Sequence, residues 1–154
     1  MSDQPIADHA LLSDCHSGAL VDKRGSVEWW CVPRFDSPSV FARLLDDERG
    51  GHFALTPADV VDVARRYDGD SLVLVTTFRT RTGTVELTDA LALAEGLRAH
   101  DLGRGSPHAL LRRARCVDGE AAVRVEFVPR FEYGLTTPIV RAVEGGVTAR
   151  GGPT

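Results

Sequence analysis

The stretch Gly18-Ala19-Leu20-Val21-Asp22-Lys23-Arg24-Gly25-Ser26-Val27-Glu28-Trp29-Trp30-Cys31 decides the fold class. Residues 18–21 and 27–31 are short runs of apolar and β-forming residues. The five residues between them include Gly25, which supplies the positive φ of a tight turn. This reads as two antiparallel strands, and the same rhythm of short apolar runs and turn signals continues along the chain. Strands are expected at 51–55, 60–67, 71–79, 84–91, 108–117 and 120–129. Thr80-Arg81-Thr82-Gly83 links one pair, and Asp118-Gly119 is the strongest short-range hairpin signal, predicting that the strands on either side of it form a hairpin. In the last of these strands Val123, Val125 and Phe127 alternate with Arg124 and Glu126, predicting one buried and one wet face.

One segment departs from the strand rhythm. Ser37-Pro38 places a capping residue before a proline suited to a first helical turn, and Val40, Phe41, Leu44 and Leu45 follow at helical spacing. The expected fold is therefore all-β, an antiparallel β-sandwich with one short helix near residues 38–45. The acidic run at 46–51 reads as a solvated loop. Residues 94–107 form the longest irregular stretch, lying where a loop would join the strands at 84 and 108. After about residue 135, a weak hairpin about Gly145-Gly146 leads to a Gly-Gly-Pro-Thr end, and a sheet cut there would expose an edge. The organisation is thus a sandwich domain over 5–135 and a weak strand or tail over 136–154.

Composition narrows the function classes. A chain of 154 residues suits one domain of the usual size, roughly 100 to 200 residues. The net charge of −4 provides no basic footprint for nucleic acid and no polybasic segment for a membrane surface. Lys23 is the only lysine among 18 basic residues, a usage that GC-rich coding explains more simply than anion recognition. The polar start lacks the apolar core of a secretory signal, and no run approaches the roughly 18 apolar residues of a membrane span. Cys15, Cys31 and Cys116 are odd in number and widely spaced, so no disulfide framework or zinc site is expected and a reduced, cytoplasmic setting is.

Candidate chemistry is sparse. Cys15-His16 is not expected to act as a dyad, because neighbouring strand residues point to opposite faces. The histidines show no metal-ligand spacing, no nucleotide-binding glycine motif occurs, and no metal or cofactor is expected. Glu28 stands beside Trp29-Trp30, but an exposed strand position explains it. Alternation buries one of the two tryptophan rings and leaves the other at a surface or interface. The densest segment runs from Trp29 through Leu45. There a strand leaves the sheet through a loop stiffened by Pro33 and Pro38 and presents Arg34, Phe35 and Asp36 for docking.

At this segment the chain resembles the N-terminal domain of bacterial trehalase-like and glucoamylase-like enzymes of glycoside hydrolase family fifteen. The resemblance starts in Pro5-Ile6-Ala7-Asp8-His9-Ala10-Leu11-Leu12-Ser13-Asp14-Cys15 and is densest in Gly25-Ser26-Val27-Glu28-Trp29-Trp30-Cys31-Val32-Pro33-Arg34-Phe35-Asp36-Ser37-Pro38. It continues in Gly83-Thr84-Val85-Glu86-Leu87-Thr88-Asp89, Leu110-Leu111-Arg112-Arg113 and Pro129-Arg130-Phe131-Glu132-Tyr133-Gly134. Tandem tryptophans stand where a single tryptophan followed by an aliphatic residue is common in the family, and Ala90-Leu91 follows Thr88-Asp89 where an aromatic is usual.

The resemblance implies a β-sandwich packed on an (α/α)6 barrel that carries both catalytic glutamates of an inverting α-glucoside hydrolase. No barrel is visible in this chain, so no position is assigned a catalytic role. Trp30, Arg34, Phe35, Asp36 and Asp89 are the candidates for a domain interface or substrate rim. The barrel is the expected partner, in cis or, if separately encoded, in trans, and the α-glucoside would be met only by the whole enzyme. An autonomous carbohydrate-binding module using Trp30, Phe35 or Tyr133, or a separate structural subunit, is the alternative.

Overall fold

The computed structural model describes residues 5–151; residues 1–4 of the polar start and 152–154 of the Gly-Gly-Pro-Thr end lie outside the described residues. The strands are β1 (Ala10–Ser13), β2 (Gly18–Val21), β3 (Ser26–Cys31), β4 (Ser39–Phe41), β5 (His52–Pro57), β6 (Val60–Tyr67), β7 (Leu74–Thr80), β8 (Gly83–Leu91), β9 (Leu110–Gly119), β10 (Val123–Val128), β11 (Ile139–Val143) and β12 (Gly146–Arg150). One sheet has the order β1-β2-β3-β5-β10, with β4 also on β3, the second has the order β6-β7-β8-β9, and β11 and β12 form a sheet of their own. Every pairing is antiparallel. The expected all-β sandwich is what the chain adopts.

Period-2 alternation builds the core between the two large sheets. Leu12, Val21, Val27 and Phe41 of the first sheet pack with Leu74 and Leu91 of the second. Farther along, Phe78, Val85 and Leu87 meet Leu55 and Val123. The strand β8 alternates without a break, turning Val85, Leu87, Asp89 and Leu91 inward.

The aspartate in that row is matched from the neighbouring strand. Asp89 is 0% exposed, and Arg112, opposite it on β9, donates to its carboxylate at 2.8 and 3.2 Å. The same guanidinium donates across the sandwich to the carbonyls of Phe53 (2.5 Å) and Gly25 (2.7 Å) and lies 4.9 Å from the Phe53 ring centre. Burial pushes the Asp89 carboxyl up, and the Arg112 fork pulls it back toward ionisation. One arginine thus ties three strands of the first and second sheets together. On the opposite side of the sandwich the Tyr67 hydroxyl accepts from Leu11 N–H and donates to Leu11 C=O, each at 3.0 Å, occupying the free edge of β1.

Four expectations change. The helix near 38–45 is absent: Ser39–Phe41 is strand β4, paired with β3 through Trp30↔Phe41 and Cys31↔Ser39, and turns follow. The apolar spacing was helical, but only about two turns long, and seating Phe41 in the core while pairing with β3 outweighs local preference. Ser37 caps no helix; its hydroxyl accepts from Arg34 N–H at 3.1 Å.

The expected Asp118-Gly119 turn does not form: both residues belong to β9 and pair with Thr84 and Gly83, with Gly119 at φ 63°, and the strands flanking them do not pair with each other. Instead β9 pairs with β8 and β10 with β5, so residues 120–122 carry the chain from one sheet to the other. The expected clean alternation of β10 also fails. Val123 is packed, but Val125 is 62% exposed, because β10 is an edge strand and the inward positions Ala114 and Cys116 of the facing edge are small and exposed themselves.

The fourth change concerns Glu28, which is 4% exposed rather than at the surface. Leu20 faces Trp29 and Val21 faces Val27, so Glu28 is the extra residue of a β-bulge. Its carboxylate meets His9 Nε2 at 3.3 Å and lies 3.9 Å from Arg43 Nε. Burial first, and the negative charge of Asp22 second, push it above the usual carboxylate range.

Candidate functional site

Three loops converge at one end of the sandwich: the turn after β1, the loop between β3 and β4, and the long loop between β8 and β9. Asp14, 1% exposed, holds the first and third together. Its Oδ1 accepts from the backbone N–H groups of His16 (3.0 Å) and Ser17 (2.7 Å), an Asx turn. Its Oδ2 accepts from the Ser106 hydroxyl at 2.5 Å and faces His108 Nδ1 at 3.6 Å. Burial pushes this carboxyl up, but the hydrogen bonds from Ser106, Ser17 and His16 outweigh it and hold the group below its usual value. Gly103 presses onto the same turn; at φ 90° a Cβ there would stand 2.5 Å from the Asp14 carbonyl. The irregular 94–107 stretch is therefore fastened at Gly103 and Ser106.

Trp30 extends this network into the core. Its indole N–H donates to Ser17 Oγ at 3.0 Å, Ser17 donates to the Cys31 carbonyl at 2.5 Å, and the ring stacks on Phe41. Of the two tryptophans Trp30 faces the core, while Trp29 lies against Tyr133 with ring centres 5.9 Å apart. Both rings are half-buried.

The loop between β3 and β4 rests on this base. Phe35 N–H donates to the His16 carbonyl at 2.9 Å, and its ring lies so close over Gly18 that a Cβ there would approach within 2.9 Å. Arg34 and Asp36 form a two-pronged ion pair at 2.9 and 3.2 Å, both side chains in solvent. The far flank is braced by Tyr133, whose N–H donates to Ser39 Oγ at 2.9 Å and whose hydroxyl donates to the Ser37 carbonyl at 3.3 Å. The Val32–Pro33 peptide is cis. Phe35 remains 60% exposed on this braced support. Cys15, His16, Arg34, Phe35 and Asp36 line an open concavity of about 410 Å³.

Of the sequence candidates, Trp30, Arg34, Phe35 and Asp36 come together here, Trp30 as inner support and the other three at the tip. Asp89 does not join them; it is sealed in the core with Arg112. Cys15 and His16 occupy a turn rather than a strand and both line the concavity. The residues that sequence reasoning missed are Asp14, Ser106 and His108. An aspartate three residues before Ser17 carried the signal of an Asx turn, whereas nothing local marked Ser106, 92 positions away, as its partner.

Glycoside hydrolysis needs two carboxyl groups set across a sugar bond. At this end Asp36 is tied to Arg34, and Asp14 is buried and hydrogen-bonded, so the arrangement does not supply that pair. Among the described residues no cluster of three or more His, Cys, Asp or Glu side chains is placed to hold a metal ion. What the tip presents is an exposed aromatic ring flanked by an arginine and a carboxylate, and aromatic residues and arginine are types enriched where interfaces carry their energy.

The family model for the trehalase-like N-terminal region matches residues 1–154. A trehalase of Mycolicibacterium smegmatis is 46% identical over 143 residues, covering 84% of this chain and 21% of that protein. The trehalase of Mycobacterium tuberculosis is 44% identical over 142 residues, 84% of this chain and 20% of its own length. Trehalase 2 of Sulfolobus acidocaldarius is 35% identical over 139 residues, 90% of this chain and 21% of its own. The chain spans about a fifth of the length of these curated relatives. No solved structure gives a significant match.

Proposed function

We propose, from the premise that this chain belongs to the trehalase-like N-terminal family, that it is the non-catalytic sandwich of an α-glucoside hydrolase and packs on the catalytic portion through the loop between β3 and β4. The observation that carries this reading is the tip Arg34-Phe35-Asp36. A 60% exposed phenylalanine is held by hydrogen bonds on both flanks of its loop, with no apolar cover of its own. A solvated loop has no need of that bracing, whereas a docking loop gains from being ordered before it binds.

In this reading the catalytic portion is a helical (α/α)6 barrel of the family-fifteen type, present in cis. It contributes both carboxylates of an inverting mechanism, one protonating the leaving oxygen and the other activating water. The sandwich contributes no proton transfer. It positions Arg34, Phe35 and Asp36 against the barrel and shapes the rim through which trehalose or a related α-glucoside enters, in a cytoplasmic enzyme. The turn Cys15-His16, in contact with the tip, forms the wall of that rim. The autonomous carbohydrate-binding reading gains little from the site, because Trp30, its best stacking surface, faces the core and spends its N–H on Ser17.

The test is an assay of the purified 154-residue polypeptide. No glucose is expected from trehalose or maltose, and calorimetric titration with either sugar is expected to give no heat of binding. Glucose release would overturn the non-catalytic assignment, and a saturable binding isotherm would favour the carbohydrate-binding alternative.

A further inference from the structure

The hairpin β11–β12 stands apart from both large sheets. Its register, with Val140 opposite Ala149 and Ala142 opposite Val147, puts those four apolar residues on one face. The other face carries Ile139 opposite Arg150 and Arg141 opposite Thr148. Neither face is covered by another strand among the described residues: Ile139 is 64% exposed, every residue of β11 is exposed, and on β12 only Thr148 and Ala149 are half-buried. Arg141 and Arg150 have no carboxylate partner among the described residues and line a concavity of about 390 Å³ together with Ile139, Val143 and Thr148.

A two-stranded sheet alone is at best marginally stable in water. This one has a wholly apolar face and an opposite face bearing two unpaired arginines between apolar residues. That combination calls for a cover with an apolar strip on one side and carboxylates on the other. The matched region is N-terminal by its family description and makes up about a fifth of the relatives, so in them the remaining polypeptide follows the position of this hairpin.

We infer that β11–β12 is a second docking element, seated against the catalytic portion of a trehalase-type polypeptide, with Val140 and Val147 buried in an apolar strip and Arg141 and Arg150 paired to carboxylates of that portion. This rests on the docking reading above but uses a different surface from the Arg34-Phe35-Asp36 tip. Together the two contacts would fix the angle of the sandwich as well as its attachment, since a single loop tip leaves rotation free.

Hydrogen exchange, read segment by segment, tests it in two settings. In the 154-residue chain, amides 139–150 are expected to exchange like unstructured peptide while β7 and β8 stay protected, with sedimentation giving a monomer. Protection of the hairpin equal to that of β7 in the monomer would overturn the inference, and protection that comes with dimerisation would assign the surface to a second copy instead. The second setting grafts the chain in place of the matching fifth of the M. smegmatis trehalase. There the hairpin is expected to become protected, and the variant R141E/R150E to lose that protection while R141K/R150K retains it. If residues 34–36 gain protection in the graft but 139–150 do not, this inference fails and the docking reading stands. If neither gains, both fail.

Discussion

Replacing Arg112 with alanine is the sharpest perturbation of the sandwich. The substitution leaves the Asp89 carboxylate buried at 0% exposure with no cation, and it removes the donors now held by the Phe53 and Gly25 carbonyls. Breaking a buried ion pair by deleting one partner costs about 3–5 kcal/mol. Each orphaned carbonyl that water cannot reach adds about 1–3 kcal/mol, although the terms overlap because one guanidinium serves all of them. Domains of this kind hold about 5–15 kcal/mol in total, so Arg112→Ala is expected to remove a large fraction of it. With a urea slope near 2 kcal/mol/M, a loss of about 4 kcal/mol moves the midpoint down by about 2 M. Equilibrium unfolding followed through the fluorescence of Trp29 and Trp30 measures it. The double variant Arg112→Met with Asp89→Leu removes the unpaired charge and is expected to recover part of the loss, leaving the share due to the two carbonyls. A loss below about 1 kcal/mol for Arg112→Ala, within the range of ordinary surface changes, would refute the claim that this residue staples the sheets.

Gly103→Ala places a Cβ 2.5 Å from the Asp14 carbonyl at a φ of 90°, so a loss of about 1–3 kcal/mol and faster hydrogen exchange in residues 94–107 are expected; an unchanged urea midpoint would contradict the close packing. Asp14 has a folded-state pKa below its unfolded value near 3.9, so its contribution is present above that pH and lost as pH falls through the folded value. Asp14→Asn is therefore expected to lower the urea midpoint at pH 7 and to flatten its decline on acidification below about pH 4; an equally steep decline would show that other carboxyls govern it. His52 is held below its ordinary pKa, first by burial and then by the charge of Arg43, so it favours the folded state only while neutral. Its contribution is lost as pH falls below about 6.5, and His52→Gln is expected to remove stability loss between pH 7 and 5; an unchanged slope over that window would contradict it.

The strand rhythm was legible because period-2 alternation and turn glycines are local signals, and Gly25 at φ 81° sits where the turn chemistry required it. Pairing partners were less legible. Asp118-Gly119 signals a local hairpin, but both residues stay in β9 opposite β8, and β10 joins β5 instead, where Phe127 seats against Phe53 and Phe41. The 38–45 segment misled for the same reason: Val40, Phe41, Leu44 and Leu45 fit a short helix, the three residues Ser39–Phe41 fit a short strand equally well, and β3 decides between them. Glu28 could not be read as buried without knowing that the β2–β3 register slips beside it. At the candidate site, the exposed tip was legible from its prolines and its Arg-Phe-Asp sequence. The Asp14 node beneath it was not, since its Ser106 partner arrives through an irregular loop with no periodicity to place it.

The docking role of the tip is tested most directly by Phe35→Ala in two settings. With the chain grafted in place of the matching fifth of the M. smegmatis trehalase, kcat/KM for trehalose and the thermal midpoint are measured beside the urea midpoint of the 154-residue chain carrying the same substitution. Phe35 is largely in solvent within the sandwich, so the chain alone is expected to change little, while truncating an interface anchor costs about 2 kcal/mol or more and lowers activity or thermal midpoint in the graft. Equal losses in both settings, or no loss in the graft, would contradict the account.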